Sequence, residues 1–339
     1  MAPTLRRLKI AVSGLGRMGA RHANHFLHRT PRAELVAAFT PAEKELAWAK
    51  ENLEPWGVNV YSDYDDMLQH QGLEAVCVAT VTTAHVEQSI KAIEAGLHVL
   101  CEKPLSTNLE VQKVMCGFSR RFDSSYLSAY SQTTNGSIGR PTILCSQTCD
   151  KYDPTGFFVE YAQFSGGIFV DCNIHDIDLA LWFFSAETHG KTLPKVKRVV
   201  AFGVTAVEPG LATHGDVDNG VAVVEFYAGQ IAYFYSSRMN PPGQHDSTDI
   251  IGTKGKLCVN ANPATGLLES HRSTGIHRDI PQNYYPPLQT RFFHLASSIE
   301  AVKIAVALQD SLKTGNMIVF GQDGNRLEHA GAAQVRSKL

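Results

Sequence analysis

The chain has 339 residues, long enough for two domains with sizeable cores. Its 31 basic and 33 acidic side chains are interspersed and leave a formal charge of −2, which gives no electrostatic footprint for nucleic acid or an anionic membrane. The longest apolar runs, around residues 73–81 and 221–224, are too short to span a bilayer, and residues 1–10 lead into a strand without a secretory apolar region.

Residues 8–13 read as a buried strand. Gly14-Leu15-Gly16-Arg17-Met18-Gly19 follows at once, then a helical stretch to about Arg29, stopped by Pro31. Residues 34–39 read as a second strand. Strand, glycine turn, helix and strand is the context that makes Gly-x-Gly-x-x-Gly a dinucleotide site. The first glycine permits the tight turn and the second lets the backbone approach a pyrophosphate. The third lets helix and strand pack closely, with the helix N-terminus facing the phosphates. An acidic residue about 20 positions further on ordinarily binds the ribose 2′-hydroxyl of NAD. Thr40 stands in that place. Threonine does not repel the 2′-phosphate of NADP, Lys44 would attract it, and Glu43 would take the ribose instead. NAD and NADP therefore both stay open.

The alternation continues with a helix over 42–52, a strand over 58–61, a helix over 64–70, a strand over 75–79, a helix over 85–95 and a strand over 98–101. That is a doubly wound parallel sheet. Thr80 and Thr82 follow the fourth strand, where they can meet the nicotinamide ribose; His85 can do so too, or simply cap its helix. Glu102-Lys103-Pro104-Leu105-Ser106 closes the next strand. A lysine there can hydrogen-bond a reacting oxygen and stabilise developing negative charge. A solvated loop lysine is the alternative.

From Gly139 the texture changes. Strands are predicted over 142–148, 196–204, 220–227, 230–236 and 256–259, and helices over 168–184 and 295–312. The expected whole is α/β: a Rossmann domain over 1–130, an α+β domain with a large, mostly antiparallel sheet over 131–325, and a tail over 326–339. If 168–184 is one helix, Asp171, His175, Asp178 and Trp182 share a face. An aspartate one turn before a histidine can orient its ring and support its imidazolium, as an acid–base histidine needs. A buried structural pair is the alternative. The seven cysteines contain no Cys-x-x-Cys pair and read as free thiols, with no metal expected.

Gly14–Gly19, residues 102–106, 117–123 and 166–178 together resemble the glucose–fructose oxidoreductase / inositol dehydrogenase / MocA family, over about residues 8–324. The Asp171-x-x-x-His175 spacing looks most like its inositol 2-dehydrogenase branch. The resemblance implies reversible hydride transfer between a nicotinamide and a ring carbon of a cyclic polyol or sugar. It implies His175 as general acid/base and Asp171 as its partner or a substrate ligand. It implies Lys103 bound to the reacting hydroxyl and the nicotinamide ribose, with Glu102 beside it at the cofactor. Arg120, Asp153 and Asn173 fall where that branch contacts substrate hydroxyls. A homodimer or homotetramer, paired through the outer face of the second sheet, is implied as well. A reductase of another carbonyl or a dihydrodiol, and a nucleotide-sensing regulator of the same fold, remain the alternatives. Two stretches are shorter than in the family: residues 104–113 between two strands, where a parallel crossover needs about a dozen residues, and residues 284–287, which run almost directly into the last helix. Lower stability than the relatives is expected. Ser337-Lys338-Leu339 at a free C-terminus is the peroxisomal import address, with the cytoplasm as the alternative.

Overall fold

Among the described residues, six short strands form the first sheet: β1 (Leu8–Ser13), β2 (Ala33–Phe39), β3 (Asn59–Tyr61), β4 (Ala75–Val78), β5 (His98–Cys101) and β6 (Met115–Cys116). All pair in parallel, in the order β3-β2-β1-β4-β5-β6. Ala11, Val12, Val76, Cys77 and Val78 are wholly buried. Consecutive buried residues, rather than alternating ones, are what a parallel sheet covered on both faces requires. The crossovers are α1 (Arg17–His28), α2 (Glu43–Asn52), α3 (Tyr64–Leu68) and α4 (Thr82–Glu94). Strand order reverses between β1 and β4, and ligands of open α/β sheets bind at the carboxyl ends beside such a switch. The doubly wound sheet is thus as expected, except that α4 begins three residues early, at Thr82.

The computed structural model describes residues 6–103, 115–116, 118–240, 244–260, 268–272, 275–279 and 293–327. The short stretches at 104–113 and 284–287 and the Ser337-Lys338-Leu339 ending lie outside the described residues. The chain divides into two units, residues 1–117 and 118–339. The join lies ahead of the expected 130 because α5 (Ser124–Thr134) packs on strands of the second unit.

Among the described residues, that second unit is built on nine strands: β7 (Pro141–Lys151), β8 (Val196–Val204), β9 (Asn219–Phe226), β10 (Ile231–Asn240), β11 (His245–Gly252), β12 (Gly255–Asn260), β13 (Leu268–Arg272), β14 (Gly275–Asp279) and β15 (Ile318–Val319). Their order is β14-β13-β12-β11-β7-β10-β9-β8-β15, antiparallel throughout except for the β7–β10 pair. β11 escapes a hydrophobic-pattern reading because it opens His-Asp-Ser-Thr-Asp. Its buried Thr248 is satisfied laterally, by Ser146 at 2.7 Å and the Tyr126 hydroxyl at 2.9 Å. The helices α6 (Phe157–Ser165), α7 (Ile168–Asp171), α8 (Ile174–Phe184) and α9 (Phe293–Thr314) complete the unit.

One expectation is overturned here. Residues 168–184 are not one amphipathic helix; the chain breaks at Cys172–Asn173, between α7 and α8. Every residue of α8 except His175 is buried, on all sides, as befits a helix between α9 and the sheet rather than one with a polar stripe.

A buried carboxylate organises the far end of this sheet. Asp218 accepts the backbone N–H groups of Ala206 (2.9 Å), Val207 (2.6 Å) and Glu208 (3.0 Å), and the Asn219 side-chain amide at 2.9 Å. Burial pushes its pKa up, but these donors pull it further down, to below the usual aspartate range. A depressed folded pKa gives stability that is present above the unfolded value of about 3.9 and is lost as pH falls through the folded one. Asp218→Asn is expected to lower stability by about 1–3 kcal/mol at neutral pH. The gap between the two proteins should close in acid, and denaturant melts at both pH values check it.

Candidate functional site

The first unit presents a phosphate-ready turn. Gly14 has φ 83°, and a Cβ there would lie 2.7 Å from the Thr80 Cα. A Cβ at Gly19 would lie 1.8 Å from the Gly14 carbonyl oxygen. These two glycines are forced by the chain's own close approaches. Gly16 is different: a Cβ there would meet the Glu45 carboxylate at 3.5 Å, an ordinary contact. The space beside Gly16 is therefore kept open rather than filled by protein. Gly16 is also the N-cap of α1, without a side-chain cap and without an acid in the first turn. No side chain of the N-cap residue competes there with an anion at the start of α1. Arg17 and Met18 are exposed in that turn, whereas Leu15 is buried in the core. These residues fit the pyrophosphate of a dinucleotide.

Thr40 is not an empty place for an acid. It is buried, and its hydroxyl donates to Glu45 Oε2 at 2.5 Å. The same oxygen accepts the Leu15 N–H at 3.0 Å. Glu43 and Lys44, the two residues weighed from sequence, are both exposed. The sequence reading missed Glu45, although an acid in the first turn of α2 was the available signal.

At the carboxyl end of β4, Thr80 and Ser13 donate to Gln88 Oε1 at 3.0 and 2.9 Å. His85 lies inside α4 rather than at its cap, buried, with Nε2 donating to the Thr80 carbonyl at 3.0 Å. It fastens the turn that carries Thr80. Thr82 is buried as the first residue of α4. Glu102 Oε1 accepts from His22 Nε2 at 2.6 Å, and Oε2 accepts the Lys103 N–H at 3.1 Å. Burial raises the Glu102 pKa, but His22 and the Lys103 amide lower it further, to below the ordinary glutamate value. Glu102 thereby ties α1 to the end of β5, where Lys103 sits half-buried.

In the second unit the acids around His175 are claimed by arginines. Asp176 accepts from Arg120 Nη1 at 2.5 Å, Ser146 at 2.6 Å, Thr148 at 2.7 Å and Asn173 Nδ2 at 2.8 Å. Asp178 is gripped by Arg121 through two 2.6 Å bonds, with the guanidinium 5.4 Å from the centroid of the Trp182 ring. Arg238, itself buried, pairs with Asp216 and reaches Asp171 Oδ2 at 3.5 Å. Two sequence expectations change as a result. Asp178 belongs to an internal ion pair rather than to a reactive stripe. Arg120, expected at substrate hydroxyls, turns its guanidinium to Asp176, Thr148 and Asp246, the last at 3.2 Å. Burial works against the charge of Arg120, but the surrounding carboxylates raise its pKa overall, so it stays cationic.

His175 is half-buried with its ring against Phe118, centroids 6.0 Å apart. The α7–α8 break lies between Asp171 and His175, so the regular one-turn spacing assumed for that pair does not hold. Asn173 is wholly buried beside the break, and its Oδ1 accepts no hydrogen bond among the described residues. Asp153 lies apart in the turn after β7, accepting the Thr155 N–H at 2.9 Å. The structure thus gathers Asp171, Asn173 and His175 at the break. It adds Arg238, whose place 67 residues from Asp171 left no local sequence signal.

Comparison with known proteins gives a consistent pattern. Residues 8–123 match the oxidoreductase family with an NAD-binding Rossmann fold (GFO_IDH_MocA), and residues 126–258 match the GFO/IDH/MocA C-terminal domain. The chain is 31% identical to the scyllo-inositol 2-dehydrogenase (NAD(+)) of Bacillus subtilis over 318 residues, 90% of this chain and 87% of that protein. It is 34% identical to the myo-inositol 2-dehydrogenase of Thermotoga maritima over 263 residues, 74% of each. Among solved structures, scyllo-inositol dehydrogenase from Lactobacillus casei with bound NAD(H) and scyllo-inositol superposes with a TM-score of 0.76. The identity is 30%, over 93% of this chain and 99% of that one.

Proposed function

Because the chain belongs to the Gfo/Idh/MocA oxidoreductase family, we propose that it is an NAD(P)-dependent dehydrogenase of a cyclic polyol, of the inositol 2-dehydrogenase kind. The observation that carries this reading is that the likeness to inositol dehydrogenases extends through both units, while Lys103 and His175 are both present. Oxidising a ring CH–OH requires a hydride acceptor, which the nicotinamide supplies when bound, and a base for the hydroxyl proton. His175 takes that proton. Lys103 donates a hydrogen bond to the reacting oxygen and stabilises its developing negative charge. The Asn173 Oδ1 serves as acceptor for a neighbouring ring hydroxyl, and Arg238 holds Asp171 beside it. The test is reduction of NAD, then of NADP, by myo-inositol, scyllo-inositol, glucose, xylose and galactose, followed by absorbance of the reduced cofactor. Turnover with an inositol is expected. No turnover with any of them, with cofactor still bound, would favour the nucleotide-sensing alternative.

Self-association belongs to the same reading. On the outer face of the second sheet Phe202 is 61% exposed, and Ile143, Val223, Ile231 and Tyr233 are exposed too. Ile231 lies opposite Ile143, and Tyr233 opposite Val223. Contiguous exposed apolar side chains mark an interface. Sedimentation is expected to give a dimer or tetramer; a monomer at all concentrations would sink this part. Ser337-Lys338-Leu339 supports import into peroxisomes. A fluorescent fusion that stays in peroxisomes after loss of those residues would count against it.

A further inference from the structure

Resting on the dehydrogenase reading above, we propose that Glu45 selects the cofactor, admitting an adenine ribose with a free 2′-hydroxyl and excluding one with a 2′-phosphate. The strand that ordinarily ends in a ribose-binding acid ends here at Phe39, followed by a buried threonine. Glu45 is the third residue of α2. Helical side chains lean toward their own N-terminus, which carries this one back toward the end of β2. Its Oε2 accepts both the Thr40 hydroxyl, at 2.5 Å, and the Leu15 N–H, at 3.0 Å. The carboxylate is thus pinned between the end of β2 and the glycine turn, where the missing acid would have stood.

The second oxygen, Oε1, faces the position a Gly16 Cβ would take, 3.5 Å away, and so borders the space that glycine keeps open. Oε1 accepts no hydrogen bond among the described residues, which leaves it for a ribose hydroxyl. A carboxylate accepts but does not donate. A 2′-hydroxyl has a proton to give it; a 2′-phosphate brings up to about two negative charges instead and is repelled. Thr40 acts as the positioning residue, because its hydroxyl fixes the rotamer of Glu45. Glu43 and Lys44 flank the carboxylate on exposed positions and serve as controls.

Calorimetric binding of NADH and NADPH, without substrate, tests this. The wild-type chain is expected to bind NADH at least about tenfold tighter than NADPH, and Glu45→Gln to narrow that ratio about tenfold, chiefly by gaining NADPH affinity. Glu43→Gln should leave the ratio where it was. Should Glu45→Gln fail to fold, Glu45→Asp withdraws the charge by one methylene and is expected to weaken the discrimination in the same direction. An unchanged ratio in the Glu45 variants, or a shift in Glu43→Gln alone, overturns the assignment and leaves the dehydrogenase reading standing. A folded wild-type chain that binds neither dinucleotide overturns both.

Discussion

Arg121→Met is expected to destabilise the second unit by about 3–5 kcal/mol, the usual consequence of stranding one member of a buried ion pair. Both partners are almost wholly buried, at 5% and 2% side-chain exposure, and Asp178 receives two 2.6 Å bonds from the guanidinium. Ser297 takes a third bond from Arg121, at 2.9 Å. Even in the intact pair, burial raises the Asp178 pKa by more than Arg121 lowers it. Without the arginine it rises further. A folded pKa above the unfolded value costs nothing below that value, about 3.9, and costs progressively more as pH rises toward the folded one. The deficit of Arg121→Met should therefore be full at neutral pH and shrink in mild acid. Adding Asp178→Leu should recover much of the loss, since an apolar pair of similar volume replaces the ion pair. Equal denaturation midpoints for Arg121→Met and the parent would show that the pair contributes nothing.

His175→Ala is expected to lower kcat for polyol oxidation by about 10²–10⁴-fold, the usual loss when a general base is removed. NADH affinity should not change, because the residues that fit the dinucleotide belong to the first unit and His175 to the second. His175 is the one residue of α8 that is not buried, so its removal leaves the packing of that helix in place. Kinetics and NADH titration on the same preparation separate the two effects. A variant with ordinary kcat and raised KM would make His175 a binding group and leave the base unassigned.

The parts of the fold that could be read from sequence are those where local pattern and tertiary role coincide. The first unit is such a case: its strands are continuous apolar runs, punctuated by Gly14, Pro31 and Gly96, so periodicity and punctuation agree. β11 and α8 are the opposite case. β11 is polar in sequence because its partners across the sheet are hydroxyls, and α8 carries acids because arginines from distant positions neutralise them. Burial of a charged residue depends on what else reaches it, and a sequence window does not contain that information. The same reason hid Glu45. The rule looks for an acid at the end of β2, whereas the carboxylate arrives from the next helix, five residues later, and becomes visible only through its bonds to Leu15 and Thr40.

The three arginine–aspartate contacts also bear on how this lineage can change. Arg120, Arg121 and Arg238 each meet an acid of the 171–178 segment from another part of the chain. For Arg121 and Asp178, losing either member alone leaves a buried charge, while replacing both with apolar residues is nearly neutral; Arg120 also pairs with Asp246 and Arg238 with Asp216, so those two are tied to more than one acid. Drift at Asp178 is therefore slaved to drift at Arg121. A descendant that gives up Asp178 must shed Arg121 as well or pass through an ancestor that folds poorly. Half-buried His175 is not a member of these ion pairs, so the residue proposed for the chemistry is freer to be lost than the residues that frame it. Relatives that have abandoned catalysis should keep the arginines and acids long after the histidine has gone.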